Sequence, residues 1–172
     1  MYFQLVSQCT QSVRNVLTWL DKAELSATDR KFNADLLMDS RLAPDMKPFM
    51  YQIQSACDYL KGAAAWLSGQ SPPKHEDNER TIEDARKRIR KTVAFAESVR
   101  EEQYAQASER NISLSWMPDK VIGGGDYLRQ ITIPNLYFHL AVAYAILRHN
   151  GVDVGKMHFL GPMNFVEAPR SR

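Results

Sequence analysis

The sequence predicts an all-α fold, an antiparallel four-helix bundle with a small β-hairpin between helices three and four. Three observations predict it. Four long stretches carry apolar residues at spacings of three and four, the period of one helix face. One short stretch alternates apolar and polar residues, the period of a strand. The composition, 44% hydrophobic and 24% charged over 172 residues, is that of one globular domain with a full core. The predicted domain is residues 1–172, with the tail 152–172 largely extended.

Helix one is predicted from Tyr2 to Leu25, with Phe3, Val6, Cys9, Val13, Val16, Leu17 and Leu20 on its apolar stripe. Phe3 and Val6 fit this periodicity, so the opening Met-Tyr-Phe-Gln reads as native sequence. Residues 26–44 form a connector in which Asn33 caps a short turn reaching Leu37. Asp45 is placed to cap helix two, which runs to Ser68 with Phe49, Ile53, Cys57, Leu60, Ala64 and Leu67 inward. The run Gly62-Ala63-Ala64-Ala65 leaves room for a close neighbour, and Gly69 with Pro72-Pro73 ends the helix.

Helix three starts near Asn78, capped by Asp77 or Asn78, with Ile82, Ala85, Ile89, Val93, Ala96 and Val99 inward. Its charge run, Arg86, Lys87, Arg88, Arg90 and Lys91, reads as a solvated outer face. Ile112, Leu114 and Trp116 alternate with Asn111, Ser113 and Ser115 as a strand. Pro118-Asp119 is the expected turn, Val121-Ile122 pair back, and Gly123 to Gly125 form the hairpin exit rather than a phosphate cradle. Helix four runs from Asp126 to the Asn150-Gly151 stop, with Pro134 predicting a kink between Arg129 and Ile133.

The bulk numbers exclude some functions. A formal net charge of +2, from 22 basic and 20 acidic side chains, creates no field for nucleic acid or an anionic membrane. No uninterrupted apolar run approaches a spanning helix, and the N-terminus lacks the pattern of a signal peptide. Cys9 and Cys57, both on apolar faces, are expected as free core thiols. The expected location is the cytoplasm, with no nucleic-acid or membrane partner.

The most informative stretch is Pro134 to His149. Asn135 and His139 stand four apart and share one helix face with Val142 and Ile146. An imidazole and an amide facing a bundle interior need partners, water or a ligand. His75, His149 and His158 read as surface or capping residues. Tyr137 and Tyr144, and likewise Tyr51 and Tyr59, read as packing aromatics whose hydroxyls need partners. No nucleophile elbow, Ser-His-Asp order, phosphate-binding loop or CxxC pair is present.

The segment Tyr137 to Gly151, with Arg41-Leu42-Ala43-Pro44-Asp45-Met46 and Glu76-Asp77-Asn78-Glu79, resembles a domain-of-unknown-function family within the DinB/YfiT-like superfamily. The resemblance extends from Trp19-Leu20-Asp21-Lys22-Ala23 to Phe159-Leu160-Gly161. It implies a four-helix bundle, often dimeric, whose metal-binding relatives hold a divalent ion with three histidines. One comes from helix two, and two stand four apart late in the chain. His139 matches the last of these, because Leu147-Arg148 follow at the right distance. The preceding position is Asn135, and helix two has no histidine, leaving Asp58 or Gln54 as its polar candidates.

One imidazole, one amide and one carboxylate make a poor zinc or nickel site. The expected cofactor is therefore none; a divalent metal, if held, would take His139 with Asp58, and Asn135 or water. The expected pocket comprises His139, Asn135, Asp58, Gln54 and Tyr144, with His139 as catalytic base for a small-molecule ligand. The alternative is a metal-free, non-catalytic ligand-binding or homodimeric structural protein, and a homodimer is expected under either.

Overall fold

A computed structural model of the chain describes residues 1–168. Among these, four long helices surround one core. The first, α1, spans Tyr2–Asp29 and buries Val6, Cys9, Val13, Val16 and Leu20 as the periodicity requires. It outlasts the predicted Leu25 end because Ala23 and Ala27 continue the same stripe into the core. A 3₁₀ segment, Ala34–Asp39, follows, and the Asn33 side chain caps it by accepting from the Asp35 N–H at 3.0 Å.

Helix α2, Phe49–Ser68, lies at the centre of the bundle and buries the whole predicted stripe. Asp45 does not cap it. Pro48 stands at the N-cap in an extended conformation, and proline holds the preceding residue out of helical geometry, which delays the start to Phe49. Gly69, at φ +79°, takes the left-handed turn at the other end, and the Gln70 N–H reaches back to the Ala65 carbonyl at 2.8 Å.

Helix α3, Ile82–Ser98, also begins later than predicted. Thr81 and Asp84 form a reciprocal capping box: the Asp84 N–H donates to Thr81 Oγ1, and the Thr81 N–H to Asp84 Oδ2, each at 3.1 Å. Asp77, one of the two predicted caps, instead accepts from Arg88. The charge run is not one solvated face. Lys87, Arg90 and Lys91 are exposed, but Arg86 and Arg88 are buried. Arg86 reaches Asp21 at 2.6 Å and Glu24 at 2.5 Å, tying α3 to α1.

Two 3₁₀ segments lead into the hairpin of β1 (Asn111–Leu114) and β2 (Met117–Gly123). Ile112 and Leu114 point inward as predicted, whereas Trp116 lies in the turn and is 64% exposed. The turn is Ser115-Trp116, not Pro118-Asp119. Ser113 faces Val121 and Leu114 faces Met117, so the residues between Met117 and Val121 bulge out of the ladder. A bulge suits Pro118, which has no N–H to give.

Helix α4 spans Gly124–His149. Its backbone widens into a π-helical segment at Tyr127–Thr132 before Ile133–His149 resumes α-helical geometry. This wide turn occupies the place of the predicted kink: Pro134 can donate no hydrogen bond to the preceding turn, and the π geometry absorbs the gap. By length and composition α4 is apolar enough to cross a bilayer. In the bundle it packs along α2.

The tail is not extended throughout. Val152 and Val154 are buried, and a short helix, α5 (Lys156–Leu160), places Phe159 in a stack on Trp19, ring centroids 5.7 Å apart. The last residues of the predicted tail, 169–172, lie outside the described residues. Cys9 and Cys57 are free and buried, and burial pushes both thiols up to about 12.

Candidate functional site

Helix α2 distributes the predicted polar residues to two neighbours. Each residue turns the helix by about 100°, so Gln54 and Asp58 point within about 40° of each other while Gln52 points nearly opposite. Gln52 and Tyr59, seven apart, therefore face α4, and Gln54 and Asp58 face α3.

On the α4 side, His139 is half-buried at the seam between the helices rather than inside the bundle. Its ring stacks on Tyr59 at 5.8 Å and meets the edges of Tyr51 and Phe138 at 6.1 and 5.2 Å. Its Nδ1 lies 2.8 Å from Gln52 Oε1. The Gln52 amide has one orientation, because its Nε2 donates to the Lys47 carbonyl at 2.9 Å. Oε1 only accepts, so Nδ1 carries the ring proton and Nε2 keeps a lone pair. Nε2 has no partner among the described residues and is not enclosed. Burial holds the imidazole below its ordinary pKa.

Asn135 shares a helix face with His139 but does not serve it. Its Nδ2 donates to the Ile131 carbonyl at 2.7 Å, one turn back in the π segment. Tyr144 is remote from both: its hydroxyl donates to the Val154 carbonyl at 3.3 Å, and its ring packs on Trp19 and Phe159. Next to the His139 cluster, beyond Tyr59, a groove of about 160 Å³ is lined by Asp58, Trp66, Leu114, Trp116, Tyr127 and Ile131. Gly62 permits part of this arrangement, since a Cβ there would meet the Tyr127 hydroxyl at 3.0 Å.

On the α3 side, Gln54 donates to Glu79 at 2.8 Å, and Asp58 pairs with Arg88 at 2.6 Å and Lys61 at 2.7 Å. Arg88 is the hub. Its guanidinium also reaches Glu79 at 2.9 Å, Asp77 at 3.1 Å and the Glu76 carbonyl at 3.1 Å, fastening the loop before α3 to the bundle. Burial raises the Glu79 carboxyl, but the hydrogen bonds from Gln54 and Arg88 outweigh it, and its pKa falls below the ordinary value. His75, expected at the surface, is half-buried beside this hub, and both ring nitrogens are enclosed without a partner. Burial first, then the charges of Lys61, Arg88 and Lys91, lower its pKa to about 4.

Comparison with known proteins fits this architecture. Residues 1–160 match the family described as Domain of unknown function (DUF1993). The chain belongs to that family. A crystal structure described as a DinB family member protein from Shewanella denitrificans is 40% identical, covering 97% of this chain and 95% of that one, with a TM-score of 0.92. No curated protein matches.

The three-histidine centre implied by the DinB-like resemblance does not fit the residues present. Asp58 is committed to two cations, Asn135 to its own helix, and Gln54 to Glu79, so His139 stands without a second ligand. Among the described residues no three of His, Cys, Asp and Glu converge as a metal site would need. Sequence reasoning missed Gln52, Arg88, Glu79 and His75. The seven-residue spacing of Gln52 and Tyr59 was the available signal for the first; nothing in the charge run marks Arg88 apart from its exposed neighbours.

Proposed function

We propose that this DinB-like protein binds a small organic molecule at the α2–α4 seam and uses His139 Nε2, without a metal, to accept a proton from it. The observation that carries the reading is the Lys47–Gln52–His139 relay. It fixes the imidazole in one tautomer and leaves the basic nitrogen without a partner among the described residues. The lowered pKa supports the same role, since a base must be neutral at working pH to act. The flat faces of Tyr59 and Tyr51 beside the ring favour a ligand with a planar, largely apolar body and one acidic proton.

Long-range ¹H–¹⁵N spectra of the histidine rings test the first step. The expected result at neutral pH is a protonated Nδ1 and an unprotonated Nε2 at His139, with the preference lost in Gln52→Leu. A fragment screen by thermal shift tests the second, and its hits should be lost in His139→Ala. Stoichiometric zinc or nickel in purified wild type, absent from His139→Ala, would overturn the metal-free reading. The expected homodimer has a specific support here: Tyr51 and Phe138, exposed on either side of His139, give the seam an apolar rim that suits a second copy. Light scattering of wild type against Phe138→Glu tests it, and a monomer in both sets it aside.

A further inference from the structure

We propose that the cleft between the 74–79 loop and α3 is a second site, for a small multivalent oxyanion of phosphate type. The cleft has a volume of about 550 Å³ and opens to solvent on the face where α3 carries Lys87 and Lys91.

Its charges are unevenly committed. Glu79 gives one oxygen to Arg88 and the other to Gln54. Asp84 is held in the capping box with Thr81, and Glu76 accepts from Asn78. Lys74, Lys87 and Lys91, by contrast, form no ion pair among the described residues. Each carboxylate of the cleft thus accepts a hydrogen bond, Glu79 from a cation and Asp84 and Glu76 from neutral donors, while its three ammonium groups have no paired counter-charge.

The second observation is independent of surface charge. His75 and Arg88 both line the cleft, and the two ring nitrogens of His75 and Nε of Arg88 are enclosed with no partner. Neutral His75 carries one N–H, so it and Arg88 Nε offer two unpaired donors at the wall of the cleft, and an enclosed donor left unsatisfied costs about 1–3 kcal/mol. The lysines and the His75 N–H all lack an oxygen, and an oxyanion supplies several at once. Three ammonium groups around one cleft match the spread charge of a phosphate better than that of a single carboxylate. No Phe, Tyr or Trp lines the cleft to stack a base, and its volume is that of one small molecule, which sets a nucleic-acid strand aside.

The test is calorimetric titration of the full chain with inorganic pyrophosphate at low salt, followed in parallel by the ring resonances of His75. One-to-one saturable binding is expected, with the His75 signals moving as the cleft fills. In Lys87→Gln/Lys91→Gln the affinity should fall about tenfold or more, the loss of about 1.4 kcal/mol per decade. Lys120→Gln/Lys156→Gln removes the same charge elsewhere and should change it less than twofold. Phenyl phosphate is the second probe. Tighter binding than pyrophosphate assigns the site to an organic phosphate monoester, and weaker binding assigns it to free inorganic phosphates. Absence of saturation in the millimolar range, equal weakening in both double variants, or unmoved His75 signals each overturns the proposal. None of the four lysines forms an ion pair among the described residues, so unchanged melting temperatures are expected and show that the variants fold.

Discussion

Replacing Arg88 with methionine keeps the buried stem and removes the charge, and its cost can be worked out from the partners left behind. The Arg88 side chain is 1% exposed and its partners differ widely in exposure. Asp58 and Asp77, at 43% and 61%, regain water when the guanidinium goes, so each loses about 0–1 kcal/mol. Glu79 is 10% exposed and keeps only the Gln54 amide. Stranding a carboxylate there costs about 2–3 kcal/mol, toward the lower end for a broken buried pair. The sum is about 2–5 kcal/mol, or roughly 10 °C in melting temperature for a domain of this size. Urea unfolding followed by circular dichroism measures it. Adding Glu79→Gln to Arg88→Met should recover about 1–2 kcal/mol, because a neutral amide needs no counter-charge. A loss below about 1 kcal/mol in the single variant, or a further loss in the double, would refute the view that Glu79 carries the cost.

Stability should fall on acidification between about pH 6.5 and pH 4. His75 is held neutral in the fold, so the unfolded chain binds more protons in that window and the stabilisation present above it is lost as pH falls through about 4. Because the ring is only half-buried, the loss is about 1–2 kcal/mol after screening, and His75→Gln should remove most of the slope in melting temperature against pH. His139, also lowered by burial, adds to the same slope with the same sign. Thr81→Ala breaks the capping box of α3 and should cost about 1 kcal/mol in urea unfolding. Gly124→Ala should cost more, about 2–3 kcal/mol, because its Cβ would lie 2.0 Å from the Ala107 carbonyl oxygen, a backbone atom that cannot rotate away. A wild-type melting temperature for this variant would show that the 3₁₀ segment beneath it moves freely.

The bundle was legible because its signals are additive. Every residue of the α2 stripe, from Phe49 to Leu67, is buried, and the same holds for the α3 stripe from Ile82 to Val99. Helix starts were less legible because several caps competed within a few residues. Asp45 lost to the proline that follows it, and Asp77 lost to Thr81 because Arg88 claimed its carboxylate. The candidate site was legible one residue at a time and not as a group. His139 was found, but Asp58 and Gln54 were assigned to it because they lie on the nearest helix. Their direction, about 40° apart and turned away from Gln52, was implicit in the helical period. The burial of Arg88 has no such local signal, since it depends on a loop that returns to meet it.

The two sides of α2 bear on what this family member does. Where the metal-binding pattern implied by the resemblance would set a ligand, α2 presents Gln52 and Tyr59 to His139. An amide oxygen acting through Nδ1 and an aromatic face do different work from a metal ligand: they orient the imidazole and shield it without using its second nitrogen. On the other side, Asp58 and Gln54 go into a network that holds the loop over α3. A metal placed at His139 would have to draw Asp58 from both Arg88 and Lys61, leaving the guanidinium, 1% exposed, to Glu79, Asp77 and the Glu76 carbonyl. That exchange gives up two ion pairs to gain one metal ligand. Restoring a metal centre by substitution at Asn135 alone should therefore fail. Asn135→His should gain at most weak zinc affinity by calorimetry, and tight binding by that single variant would show that the α2–α3 network does not constrain the seam.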